Sequence, residues 1–232
     1  MEIDLRNSAI RKELDVFVDQ FYTLRNNKEF PLVGGGDFTP TSMKHRCSEK
    51  VLREEYLPYY LLHDGFPRDH CAVPIGNIVK SQNDQGLDAW GKFWYNWKAG
   101  FMEKIGANQS TLLNYYQGWG GVGWHTNYKS AGYQVVLTWS RLGDGCFSWY
   151  DPKTDTVHME HDRPGWQARW FYFGNKEGPV ENHCWHSMWT NCDRFTLCYN
   201  WALRPDTERQ GTERHEALKG MMLDFVEELE TK

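Results

Sequence analysis

Between about residues 108 and 204 the apolar side chains of this chain alternate, whereas before and after that stretch they recur every three or four positions. This switch of period constrains the fold more than any other feature. Leu112 to Gln117, Tyr133 to Ser140, Cys146 to Tyr150, Thr156 to Glu160, Ala168 to Phe173 and Phe195 to Leu203 read as strands. Turn residues punctuate them at Gly118 to Gly123, Gly143-Asp144-Gly145, Asp151-Pro152 and Pro164-Gly165. Several short strands at near-regular spacing predict a mainly β sandwich or barrel.

Helical periodicity flanks that core. Residues 5–26 place Ile10, Leu14, Phe17, Val18, Phe21 and Leu24 on one face, and 87–105 do the same with Leu87, Trp90, Trp94, Trp97, Phe101 and Ile105. A third helix over 212–230, with Leu218, Met221, Met222, Phe225 and Leu229, is expected on the outside of the core. Residues 27–84 are broken by Gly34-Gly35-Gly36, Pro40, Pro67 and Pro74 into loops and short elements, and a segment of that kind often serves as a lid over a substrate. With no repeat, low-complexity tract or linker, residues 1–232 read as one domain. It has a helical and loop region over 1–107, a β-core over about 108–204 and the helix over about 212–230.

The 232 residues carry a net charge of −5 without a Lys/Arg run, so no extended nucleic-acid footprint is visible. Twelve each of Trp, Tyr and Phe argue for a thick core between packed layers. No apolar run reaches the length of a membrane span, and no apolar leader opens the chain, so a cytoplasmic protein without membrane contact is expected. The six cysteines form no C-x-x-C pair and are expected as reduced thiols.

Gly118-Trp119-Gly120-Gly121-Val122-Gly123 satisfies the dinucleotide-binding fingerprint G-x-G-x-x-G. That fingerprint needs a helix to begin at once, and Trp124-His125-Thr126-Asn127 followed by the run Tyr133 to Trp139 cannot supply one. The glycines are therefore expected as a flexible turn bordering a pocket.

One constellation carries chemistry. His125-Thr126-Asn127 is followed after fifty-five residues by His183, and after ten more by Arg194-Phe195-Thr196. Two distant imidazoles, an oxygen-bearing side chain beside the first and a late guanidinium are what a non-haem iron site needs if it also binds a keto-acid. Alternation places Asn114 and Tyr116 on one strand face, and Arg194, Thr196, Cys198 and Asn200 on another. A guanidinium with a neighbouring hydroxyl is a seat for a carboxylate. His186 competes with His183 as the second imidazole, with seven rather than ten residues before Arg194. His158-Met159-Glu160 holds a carboxylate but lies too close to His183, and with His161 it reads as a solvent-facing strand edge.

Asn114-Tyr115-Tyr116, His125-x-Asn127, His183 and Arg194-x-Thr196 together resemble the Fe(II)/2-oxoglutarate-dependent oxygenases over about 108–203. The AlkB-like and TET-like branch and phage-encoded members are similar around Asn114 to Tyr116 and Gly123 to Asn127. The resemblance implies a double-stranded β-helix, or jelly-roll, core with flanking helices. It implies Fe(II) held by His125, Asn127 and His183 (or His186), and 2-oxoglutarate held by Asn114, Tyr116, Arg194 and Thr196. It further implies hydroxylation of a substrate with O2, and the phage-type likeness allows that substrate to be a nucleic acid or nucleotide.

This sequence departs from that pattern at Asn127, where the family has a carboxylate. A neutral amide lowers metal affinity and raises the charge of the centre by one. Three states are open: ligation by the amide, a vacated position for water or halide, or a binding module that has given up its iron. The keto-acid residues favour a working or weakened oxygenase. A zinc site on His183 and His186 is a further alternative. Lys129, Arg141 and Arg169 are charged candidates near the core, Arg169 as a strand-face residue paired with an acid, and Trp124, Trp149 and Trp166 are candidates for a pocket mouth.

Overall fold

Ten strands follow one another in a single antiparallel path that folds back on itself to form a jelly roll. The structure is a computed structural model that describes residues 2–3, 5, 9–25, 33–34, 40–75, 85–128, 131–202 and 211–231. Its strands are β1 (Glu2–Ile3), β2 (Val33–Gly34), β3 (His70–Pro74), β4 (Gln109–Tyr116), β5 (Gly121–His125), β6 (Gly132–Ser140), β7 (Gly145–Asp151), β8 (Thr156–His161), β9 (Gly165–Phe173), β10 (His186–Thr190) and β11 (Arg194–Ala202). Its helices are α1 (Ala9–Arg25), α2 (Pro40–Arg46), α3 (Glu49–Val51), α4 (Gln85–Ile105) and α5 (Glu213–Thr231). The spatial order is β1-β9-β6-β11-β4-β3-β5-β10-β7-β8, with β2 on β3. Strand β3 joins the two halves, pairing with β4 through Val73 and with β5 through His70 and Cys71.

The period of two divides each strand of the larger half between two different interiors. Phe195, Leu197, Tyr199 and Trp201 of β11, with Val135 and Leu137 of β6 and Ala168 of β9, point outward under the helices. Phe17 and Phe21 of α1 meet Phe195 edge-on at 5.4 and 4.7 Å, Phe101 of α4 meets Tyr199 at 5.1 Å, and Phe225 of α5 meets Trp201 at 5.5 Å. Aromatic pairs of this kind each add about 0.5–1.5 kcal/mol beyond their burial. Helix α5 starts where Thr212 Oγ1 accepts the backbone N–H of His215, an N-cap worth about 1 kcal/mol. The main apolar core thus lies outside the barrel, between sheet and helices.

The other face of the same strands looks into the barrel, and it is polar. Thr196 aligns with Asn114 on one side and Thr138 on the other, and Thr138 aligns with Gln167. Arg194, Gln134 and Arg169 lie on the same inward face, all buried. Val136, Cys198, Phe171, Phe173 and Tyr116, with the opposing Val122, Phe147 and Met188, make this interior partly apolar.

The three helices and six strands expected from periodicity are present, but the structure adds strands the pattern did not show. β5 occupies the expected Gly-rich turn from Gly121 onward. A Cβ on Gly121 would stand 2.7 Å from the Met188 carbonyl, and one on Gly120 2.9 Å from that of Cys71. The glycines therefore admit close backbone approach rather than flexibility. Within residues 27–84, the chain from 49 to 62 is helical, widening to a π turn at Leu52–Tyr56 and tightening to a 3₁₀ turn at Leu57–Leu62. It packs Val51, Leu52 and Tyr56 on Trp124 and Trp185. Met221 of α5 is 41% exposed, off the face predicted for it. Lys129, Leu203, residues 76–84, and the side chains of Leu24, Leu87 and Trp90 lie outside the described residues. Among the described residues no helix is long and apolar enough to cross a membrane, and all six cysteines are free thiols.

Candidate functional site

His125 ends β5 and His186 opens β10, and the antiparallel register sets them opposite one another. Their rings lie 4.0 Å apart, centroid to centroid. A register shift between His186 and Met188 marks a bulge that re-aims the start of β10. Each ring is fixed through Nδ1, His125 to the Gly123 carbonyl at 2.9 Å and His186 to the Cys184 carbonyl at 3.0 Å. A carbonyl only accepts, so both Nδ1 atoms carry the proton and both Nε2 atoms keep a lone pair. Burial holds His125 well below the usual imidazole range, with the nearby His186 adding to the effect. Burial brings His186 down to about 4. Both rings are therefore neutral at physiological pH, the state a metal needs.

Asn127 completes the group. Its Nδ2 donates to His186 Nε2 over 3.4 Å. Its backbone is left-handed, at φ 56°, a conformation asparagine tolerates better than most residues. The Gly65 carbonyl holds it there by accepting the Asn127 backbone N–H at 3.0 Å. Thus the loop after residue 62 positions the site.

His183 stands elsewhere. It follows the 3₁₀ turn Val180–Asn182, with Nε2 on the Asn175 carbonyl at 3.1 Å and Nδ1 facing the Tyr128 hydroxyl at 3.3 Å. The structure brings His125, Asn127 and His186 together and ties His183 into a neighbouring loop. Among the described residues, no three His, Cys, Asp or Glu side chains cluster to hold a metal. Two neutral imidazole donors, with the Asn127 amide turned so that its oxygen takes the place of Nδ2, would suit a divalent first-row ion.

These three residues line part of a narrow cavity of about 20 Å³. Val122, Val136, Phe147 and Met188 form apolar walls, and Tyr116, Thr196 and Gln134 supply polar ones. Asn114 Nδ2 donates to the Tyr116 hydroxyl at 3.2 Å. Burial pushes the Tyr116 phenol up to about 12, so it stays neutral and able to donate.

Arg194 sits behind Tyr116 and Thr196, with its Cζ 5.9 Å from the Tyr116 ring centroid. Its Nε donates to Asp162 Oδ2 at 2.8 Å, and both side chains are 0% exposed. Nη1 donates to Thr196 Oγ1 and Nη2 to Thr138 Oγ1 at 3.3 Å. The second oxygen of Asp162 accepts from Gln167 Nε2 at 3.1 Å. Gly145 makes room for that carboxylate, since a Cβ there would collide with Asp162 Oδ2. Asp162 went unnoticed in the sequence because it lies one residue past a strand end, thirty-two positions from its partner. Arg169 is buried inside the barrel and pairs through Nε with Glu160, so the expected acid partner and an inward position hold together. β8 is the edge strand expected there, with His161 exposed and Glu160 partly so, but Glu160 also reaches in to Arg169 and His158 stacks on Trp149 at 4.9 Å. Of the three Trp candidates, Trp124 and Trp166 are packed away from the cavity, and Trp149 packs beside its Phe147 wall.

No family model matches the chain, and no curated protein is similar to it in sequence. Solved structures with a related chain path include a Pseudomonas putida prolyl-4-hydroxylase, at 8% identity and TM-score 0.40, covering 86% of this chain and 91% of that one. The 2-oxoglutarate complex of dioxygenase for auxin oxidation 1 from Arabidopsis thaliana is similar at 11% identity and TM-score 0.38, covering 87% and 85%. A 2OG-Fe(II) oxygenase family oxidoreductase from Burkholderia pseudomallei is similar at 13% identity and TM-score 0.35, covering 79% and 77%. These are loose likenesses, and the functional reading rests on the geometry of the site itself.

Proposed function

We propose that this protein is an Fe(II)- and 2-oxoglutarate-dependent oxygenase whose metal is held by His125, His186 and the amide oxygen of Asn127. The observation that carries this reading is the pair of imidazoles with both Nδ1 protons committed to backbone carbonyls. That arrangement turns two Nε2 atoms toward the site beside Asn127, whose Nδ2 donates to His186 Nε2; a bound metal would replace that hydrogen bond, with the amide turned so that its oxygen faces the ion. The donor set differs from the spacing-based expectation in one position, with His186, which faces His125, in the role expected first of His183. Bound Fe(II) with 2-oxoglutarate and O2 would supply oxidising chemistry for hydroxylation, with succinate and CO2 as co-products.

The chain's own residues do the rest. Tyr116 and Thr196 offer hydroxyls to the keto-acid, Asn114 orients the Tyr116 hydroxyl, and Arg194 orients Thr196 from behind. Val122, Phe147 and Met188 keep water from the cavity. Substrates approach from the open mouth, and a nucleotide or nucleic-acid substrate rests on the phage-type resemblance alone.

A second reading, a jelly-roll binding module with a degenerate metal site, is favoured by one observation. The guanidinium expected to hold a ligand carboxylate already holds Asp162. Anaerobic titration of the metal-free protein with Fe(II) and 2-oxoglutarate separates the two readings. The oxygenase gives a visible metal-to-ligand charge-transfer band that is lost in His125→Ala and His186→Ala. A band absent from the native protein and present in Asn127→Asp would establish the binding module instead.

A further inference from the structure

The inner polar face carries two guanidinium groups, and each is cancelled from within. Arg194 meets Asp162 at 2.8 Å with both side chains fully buried, and Arg169 meets Glu160. The Arg194–Asp162 pair is built rather than incidental. Gln167 occupies the second carboxylate oxygen at 3.1 Å, the Asp162 backbone N–H reaches the Gly145 carbonyl at 3.0 Å, and Gly145 is the residue whose missing side chain admits the carboxylate. Every nitrogen of the Arg194 guanidinium is engaged, by Asp162, Thr196 and Thr138. What reaches the cavity wall at that end is a neutral hydroxyl pair, Tyr116 and Thr196.

We propose that Asp162 sets which keto-acid the cavity accepts: by neutralising Arg194 it makes the far end of the site charge-neutral, so an uncharged tail is taken about as readily as a second carboxylate. This deepens the oxygenase reading and rests on it. A guanidinium open to a ligand selects a carboxylate by a charge-assisted, bidentate contact, and such contacts are roughly twice as strong as neutral hydrogen bonds. A guanidinium already paired has no net charge to offer and only hydroxyl groups to present. Asp162 does not touch the ligand in this arrangement; it is a positioning residue that acts through Arg194.

The test compares 2-oxoglutarate with 2-oxovalerate, a keto-acid of the same carbon-chain length without the distal carboxylate. Both are titrated calorimetrically into Mn(II)-loaded protein under anaerobic conditions. The native protein should bind them within about tenfold of each other, and Asp162→Asn should widen the preference for 2-oxoglutarate by a further tenfold or more. A purely structural role for Asp162 would weaken both ligands alike and leave their ratio unmoved. A native preference for 2-oxoglutarate above about tenfold overturns the proposal, and so does an unchanged ratio in a folded Asp162→Asn. Should that variant fail to fold, the native ratio alone decides. Binding of neither keto-acid by native protein overturns the oxygenase reading and this inference with it, whereas binding of both with a strong dicarboxylate preference sinks only the role of Asp162.

Discussion

Asn127 is held in a left-handed backbone by the Gly65 carbonyl, and its amide is the third group beside two imidazoles whose tautomers are set by Gly123 and Cys184. Replacing His125 or His186 by Ala removes a donor outright and should weaken Mn(II) or Fe(II) binding at least about 100-fold in a metal titration. His183→Ala should leave that affinity within a few-fold, because His183 bonds Asn175 and faces Tyr128 rather than the other donors. Loss of metal binding in His183→Ala alone would reverse the assignment. The same two rings make the metal-free protein sensitive to acid. His186 titrates near 4 when folded, against about 6.5 when unfolded, so the unfolded chain binds the extra proton between those values. Stability is full above about pH 6.5 and falls as pH drops towards 4, by about 3 kcal/mol from His186 alone. Urea denaturation at pH 7.5 and 5 should show about 2 kcal/mol of this loss in the metal-free native protein and a smaller one in His186→Gln.

At the scale of elements, the site depends on how closely β5 can lie between β3 and β10. Gly121 pairs with Trp189 on one side and Cys71 on the other. A methyl at Gly121 would meet the Met188 carbonyl at 2.7 Å and Met43 Cε at 2.8 Å. The methionine end can move, but the carbonyl belongs to the strand that carries His186. Gly121→Ala should therefore cost about 1–3 kcal/mol in chemical denaturation and also weaken metal binding, since it forces apart the strands that set His125 against His186. Unchanged metal affinity would show that the two strands do not depend on this contact. The same strand shows why part of the site was hidden in the sequence. Glycine in β5 serves backbone approach, yet the alternation and turn rules read Gly118 to Gly123 as a turn. β10 is five residues long and buried on both faces, so Ser187 to Thr190 show no clean alternation. Spacing to Arg194 favoured His183, whereas the bulge at His186 and its pairing with His125 depend on a register that no local pattern records. Arg194, Thr196, Asn114 and Tyr116 were legible because a period of two fixes which side chains share a face, and that face proved to be the barrel interior.

Across the whole molecule, packing and chemistry occupy opposite faces of the same strands. On β11, Phe195 points into the aromatic core beneath α1 while its neighbours Arg194 and Thr196 point into the barrel. The helices over the outer face were legible as amphipathic periods. The charge partner within the inner face was not, because Asp162 meets Arg194 from thirty-two positions away rather than along any element. This division predicts that stability and binding can be separated. Phe195 contacts Phe17, Phe21, Tyr115 and Trp139 and is fully buried, so Phe195→Ala should cost about 3–5 kcal/mol. The cavity formed lies on the helix side of the sheet, and the β11 backbone remains paired on both edges with β4 and β6. Below its lowered melting temperature the variant should therefore bind Mn(II) within a few-fold of the native protein. Thermal denaturation followed by metal titration on the same sample checks both halves. A variant that remains folded yet loses its metal would show that the outer core sets the position of the site after all, and that the two faces of the sheet are mechanically coupled.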